Sequence, residues 1–149
     1  MSAVPRVVLL VALSCALAAD AAVADDIVLY VVTVKAKPNG ESDPELRQLR
    51  PRLRRLVGYR SYRKVGEQQR GCDWRDTQAF RLPGGRRLEL RPERMADQRV
   101  LMKVRLLQGE MRLVDTDIQL RNQGTMFLGM GRSGSDGALL IMLKAGVPQ

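Results

Sequence analysis

Histidine is absent from this chain. Its absence removes His-based general-base catalysis, Ser-His-Asp and Cys-His arrangements, and imidazole metal ligands. Cysteine is nearly as scarce, with Cys15 and Cys72 the only two. Cys15 falls in an N-terminal apolar stretch, so Cys72 is the sole cysteine of the remainder. An intramolecular disulfide is thereby excluded, and any bridge would join two chains. Acid is missing from a whole segment, because no Asp or Glu lies between Leu46 and Lys64. The apolar run at residues 7–17 is too short for an ordinary transmembrane span. No internal repeat of useful period and no long low-complexity segment occurs.

Residues 1–24 read as a secretory signal peptide. Arg6 supplies the positive start, residues 7–17 are mostly apolar, and Ala22-Val23-Ala24 is a cleavage pattern followed by Asp25 and Asp26. A lipoprotein with Cys15 lipidated is an alternative, although Ala12-Leu13-Ser14 matches a lipobox poorly. An uncleaved anchor is another. Cleavage after Ala24 leaves residues 25–149 as a single exported domain, expected to be periplasmic or secreted and without a membrane span. That length suffices for a core.

Lys and Arg number 25 against 16 Asp and Glu, a net charge of +9. Most of the excess is arginine. Such a balance favours anionic partners: phosphate groups, acidic polysaccharide or an acidic protein face. It also fits a soluble protein of arginine-biased composition.

Residues 43–64 contain the one clear amphipathic helix. Asp43 precedes Pro44, which suits an N-cap before a proline at the first helical position, and Glu45 complements the positive end of the helix dipole. Leu46, Leu49, Leu53 and Leu56 recur at steps of three and four and share one face. Arg47, Arg54 and Arg55 lie opposite, while Arg50 and Arg52 flank the leucine stripe. Gly58 is a natural stop. Pro51 falls within this pattern, where a kink or a split into two pieces is open; the continuous leucine register favours one bent helix. The basic residues Arg47, Arg50, Arg52, Arg54, Arg55, Arg60, Arg63 and Lys64, with Tyr59 and Tyr62 to stack, form a candidate surface for an anion or partner. The ordinary reading is that such arginines only solvate the outer face of a covering helix.

The remaining pattern is β. Residues 27–37 open with a run apolar on both faces, as a central, doubly covered strand requires. Residues 59–65 read as a second strand and 66–71 as loop, so strand, helix and strand suggest a βαβ start. A run ending at Leu82 and another at residues 87–91 flank Pro83-Gly84-Gly85, a hairpin signal. Residues 92–97 read as a connection. Residues 99–107 alternate, Gly109-Glu110 turns, and residues 111–121 slip phase, which a one-residue bulge near Leu113 would repair. Asn122-Gln123-Gly124 turns again, residues 125–128 form a short strand, residues 129–137 a glycine-rich loop, and residues 138–144 a buried strand.

Chemistry-bearing motifs are sparse. Residues 129–134 match G-x-G-x-x-G, but too little chain follows for the helix, strand and acid of a dinucleotide site. A hairpin loop is the better reading, with Arg132 at its tip able to touch an anion. Cys72 beside Asp73 and Arg75 is either an activated thiol or a simple one. Asp115 and Asp117 share a strand face, where they would bind metal or pair with arginines.

Residues 119–129, QLRNQGTMFLG, and residues 138–143, ALLIML, resemble the late strand pair of bacterial secretin channels. There a polar turn with glycine precedes an apolar strand ending in two glycines. Gly129-Met130-Gly131 departs from that paired ending, and the chain is far shorter than a secretin. The layout also resembles small exported β-rich proteins of Gram-negative bacteria with no assigned activity. These resemblances imply an envelope-associated accessory or assembly role and carry no functional residue. The expected fold is α+β: strand-helix-strand, then antiparallel strands, in a mixed sheet with one covering helix. The expected function is a non-catalytic exported domain acting through protein contacts in the bacterial envelope. The alternative is a binding module for anionic envelope polymer or phosphate groups. Neither an enzyme, a cofactor, a metal nor nucleic acid binding is expected.

Overall fold

The computed structural model describes residues 25–130 and 137–148. The expected signal peptide and Arg132 lie outside those residues. Eight strands follow in order: β1 (Ile27–Lys37), β2 (Ser61–Cys72), β3 (Gln78–Leu82), β4 (Arg86–Ala96), β5 (Arg99–Gln108), β6 (Met111–Arg121), β7 (Thr125–Met130) and β8 (Ala138–Gly146). A 3-10 turn, Pro44–Leu46, and the helix α1 (Arg50–Val57) interrupt the passage from β1 to β2. No helix among the described residues is long and apolar enough to cross a membrane.

The strands form two antiparallel sheets of four, ordered β2-β1-β8-β7 and β3-β4-β5-β6. The chain is thus an up-and-down meander in which β8 returns to β1, divided where β2 meets β3 and where β6 meets β7. This overturns the α+β expectation. Both sheets are wholly antiparallel, and the fold is nearly all β with one short helix. There is no βαβ unit either, since β1 and β2 pair antiparallel from Ile27↔Cys72 to Lys37↔Ser61. The helix lies in the connection of that pair. What the leucine periodicity does not disclose is that the later strands fold back as a second sheet and cover the first.

The core lies between the sheets. Ile27, Leu29 and Val31 of β1 and Ile141 and Leu143 of β8 meet Phe80, Leu88, Leu90, Val100, Met102 and Val104. A smaller cluster covers part of the opposite face of β1, where Val32, Val34, Ala36, Leu140 and Tyr62 pack with Leu46 and Leu53. Each fully buried side chain of this size stabilises by roughly 1.5–3 kcal/mol. β1 is therefore apolar on alternate residues for two different reasons, one per face.

Several local readings need correction. The 3-10 turn and α1 are separate pieces, and Pro51 stands in the first turn of α1 rather than inside one bent helix. There its missing N–H has no intrahelical partner to lose. Asp43 makes no side-chain cap, because its carboxylate accepts the Lys64 N–H at 2.7 Å instead. Gly58 does end α1, in the left-handed conformation at φ 71°, donating its N–H to Arg54 O at 2.8 Å.

Polar residues 66–71 belong to β2, which is an edge strand and needs no alternating apolar face beyond its start. β4 runs through Pro92, a position past the end of β3 where no neighbour demands its N–H. The β4–β5 turn uses Asp97 and Gln98 at φ 51° and 63°, a hairpin with no glycine to announce it. Gly84 and Gly85, at φ 81° and 71°, do form the β3–β4 turn. A register shift opposite Leu106 and Leu107 leaves Leu113 as the extra residue of β6, yet Met111, Leu113 and Val114 stay exposed rather than turning inward.

The seam between β2 and β3 is bridged by side chains. Gln68 Nε2 donates to Arg81 O at 2.8 Å, and Arg70 Nη1 donates to Ala79 O at 2.5 Å. The Arg70 guanidinium also lies 5.0 Å from the Phe80 ring centroid.

Pro51→Ala is expected to change stability by less than about 1 kcal/mol in urea denaturation. A proline interior to one helix would instead yield about 3 kcal/mol on replacement, and that outcome would restore the single bent helix.

Candidate functional site

The site is the end of the molecule where β1 finishes, β2 begins and α1 crosses. Leu46 and Leu53 are 3% and 0% exposed against the outer face of β1, β2 and β8. Anchoring them turns Arg47, Arg50, Arg52, Arg54 and Arg55 to the surface. Arg52 ties the helix to β7: its guanidinium sits 4.7 Å from the Phe127 ring centroid, and Nη2 donates to Thr125 O at 3.5 Å. Arg55 donates to Pro51 O at 3.4 Å. Among the described residues, Arg47, Arg50 and Arg54 have neither an ion pair nor a side-chain hydrogen bond. A cleft of about 390 Å³ runs beside them, lined by Gly40, Glu41, Ser42, Asp43, Pro44, Arg47 and Arg50.

Structure divides the predicted residues. Tyr62 is fully buried and its hydroxyl donates to Tyr59 O at 2.7 Å, so it stacks on no ligand. Burial pushes the Tyr62 hydroxyl pKa up, against the opposing charges of Arg54 and Arg50. Tyr59 is half-buried against the same cluster. Lys64 is already held, with Glu45 at 2.5 Å and Glu67 at 2.8 Å. Hydrogen bonds to those two carboxylates raise its pKa. Glu67 is lowered by the Lys64 and Tyr30 hydrogen bonds in turn. Arg60 is exposed just before β2. Arg63 pairs opposite Lys35 and, by strand alternation, points away from the face that carries Tyr62 and Lys64. Arg47 and Arg50 therefore share one cleft, with Arg54 and Arg55 exposed on α1 beyond it, while Arg63 and Lys35 lie on the other side of the sheet. Arg50, already part of the basic stretch read from the sequence, lines the cleft beside Arg47.

The other candidates have structural roles. Cys72 is 6% exposed. Its thiol is pushed up from 9.0 to about 11, first by burial and then by Asp76, Asp25, Asp73 and Asp26. That is the opposite of an activated nucleophile. Asp115 pairs with Arg105 at 3.5 Å and Arg112 at 3.4 Å, and Asp117 stands opposite Lys103. Gly129 and Met130 end β7, which pairs antiparallel with β8; the rest of G-x-G-x-x-G lies outside the described residues.

Protein-family models, curated proteins and solved structures offer no match to this chain.

The Cys72 environment sets a pH dependence. Below pH 9 the thiol is protonated in both folded and unfolded chains. Between 9.0 and about 11 only the unfolded chain ionises, so stability falls across that window. Urea midpoints measured from pH 8 to 11 are expected to fall more steeply for the parent chain than for Cys72→Ala; parallel curves would contradict the assignment.

Proposed function

We propose that this chain is a non-catalytic exported domain of the bacterial envelope, with the α1 end meeting an anionic polymer or a phosphate-bearing surface. The observation that supports this most is the distribution of charge pairing. On the second sheet three arginines are matched by nearby acids: Arg87 with Glu89 at 2.9 Å, Arg91 with Glu93 at 3.3 Å, and Arg105 with Asp115. At the α1 end, Arg47, Arg50 and Arg54 are presented without such partners among the described residues, on a helix anchored by Leu53. An arginine fork left open in this way suits phosphate, sulfate or carboxylate.

A second reading, contact with an envelope protein, is favoured by β6. Met111, Leu113 and Val114 are 66%, 42% and 38% exposed on a strand paired on one side only. Exposed apolar residues on an unpaired edge suit a protein surface. The resemblance of residues 119–129 and 138–143 to a secretin strand pair points to the same compartment and to an assembly role.

Retention on sulfated-polymer beads is expected to fall steeply as salt rises. The triple reversal Arg47→Glu, Arg54→Glu, Arg55→Glu is expected to weaken binding at least tenfold. Reversal of the paired Arg87, Arg91 and Arg105 changes net charge equally and is expected to have much less effect. Equal losses would show that net charge alone binds the beads, and a salt-insensitive protein partner recovered from the envelope would favour the second reading.

A further inference from the structure

The opposite end of the molecule holds a second cleft, where β2 leaves its sheet. Its volume is about 600 Å³, and it is lined by Trp74, Arg75, Glu93, Arg94 and Met95. That volume falls within the roughly 300–1,000 Å³ typical of small-molecule sites. Trp74 and Met95 are partly buried against the main core, so the apolar floor is held in place. The Trp74 side chain makes no hydrogen bond among the described residues, which leaves its indole N–H available.

Two backbone irregularities build this cleft. Regular β4 alternation would send Glu93, Arg94 and Met95 to alternate faces. The register shift between Pro92 and Arg94 instead lets three consecutive residues line one cavity. Arg75 adopts φ 70°, a costly conformation for a residue with a Cβ. Its N–H donates to Pro92 O at 2.6 Å, which fixes the connection onto the bulge. Bulge and left-handed residue together bring Trp74, Arg75, Glu93 and Arg94 to the wall of one cavity.

We propose that this cleft binds a neutral pyranose residue of a glycan. The indole provides an apolar surface for the ring's C–H groups. Arg75 and Arg94 donate to hydroxyl oxygens, and Glu93 accepts from hydroxyl protons. Neither arginine has an ion-pair partner among the described residues, whereas Glu93 is oriented by Arg91 at 3.3 Å. A neutral ligand is favoured over an acidic one by the surroundings. The Asp26 carboxylate lies 3.4 Å from the Trp74 backbone N–H, and Asp73 and Asp76 flank the connection. These acids would repel an anion that the arginines attract. The site is separate from the α1 end and stands or falls independently of the anion-binding reading.

Trp74 is the chain's single tryptophan, so its fluorescence reports this cleft directly. Titration with cellohexaose and chitohexaose, with hexagalacturonic acid as the acidic probe, is expected to give a saturable change with at least one neutral sugar and a weaker response to the acid. Arg94→Ala and Glu93→Gln, both at the surface, are expected to weaken binding at least tenfold. By calorimetry, Trp74→Phe is expected to bind about tenfold more weakly than the parent. The Arg47, Arg54, Arg55 reversal is expected to bind the neutral sugar unchanged. No saturable response to either neutral sugar at millimolar concentration, tighter binding of the acid, or affinity indifferent to Arg94→Ala would each overturn the proposal.

Discussion

The structure depends on one strand being buried on both faces. β1 sends Ile27, Leu29 and Val31 into the core between the sheets and Val32, Val34 and Ala36 into the cluster beneath α1. Its edges are occupied too, by β2 on one side and β8 on the other. A strand so placed has no free backbone polar group to solvate and no face free to slip by one residue. Its register with β2 then sets both ends of the molecule. Lys37 opposite Ser61 puts α1 and its arginines at one end, and Ile27 opposite Cys72 puts the Trp74 connection at the other.

Arginine does different work in different places, and position decides which. Arg70 bridges the open seam to β3, and Arg52 fastens the helix to Phe127 and Thr125. Arg87, Arg91 and Arg105 balance acids on an outer sheet face. Surface pairs of this kind add little stability each, on the order of 0–1 kcal/mol, but they remove charge from the exterior field. Arg47, Arg50 and Arg54, at the α1 end, are left open among the described residues, as are Arg75 and Arg94 at the other end. A net charge of +9 therefore says less about binding than the local matching of charges does.

Much of the local structure was legible in particular residues. The two-faced apolar run of β1, the stop at Gly58 and the Gly84-Gly85 turn each carry a local signature that nothing distant overrides; the bulge at Leu113 was legible too, but the inward face it was expected to restore does not form. The failures share a cause, which is that long-range pairing decided them. Residues 66–71 look like loop because an edge strand has no need of apolar alternation. β4 seemed to end at Pro92 because a proline is tolerated only once the neighbouring strand has finished, which no local pattern reveals. Four leucines suggested a helical layer, whereas the inner face of the sheet is covered by strands drawn from the rest of the chain. At the site, Arg47, Arg54 and Arg55 followed from helical angles alone. Tyr62 did not, since its burial depends on α1 closing over β2, and Arg63 was separated from Lys64 by simple strand alternation.

Native-state hydrogen exchange resolved by residue tests the central role of β1 most directly. Amides of β1 facing β2 and β8 are expected in the slowest class, exchanging only through global unfolding, with the free edge of β6 exchanging by local opening. Protection in β1 no greater than in β6, with β4 and β5 alone surviving to the global limit, would contradict the account.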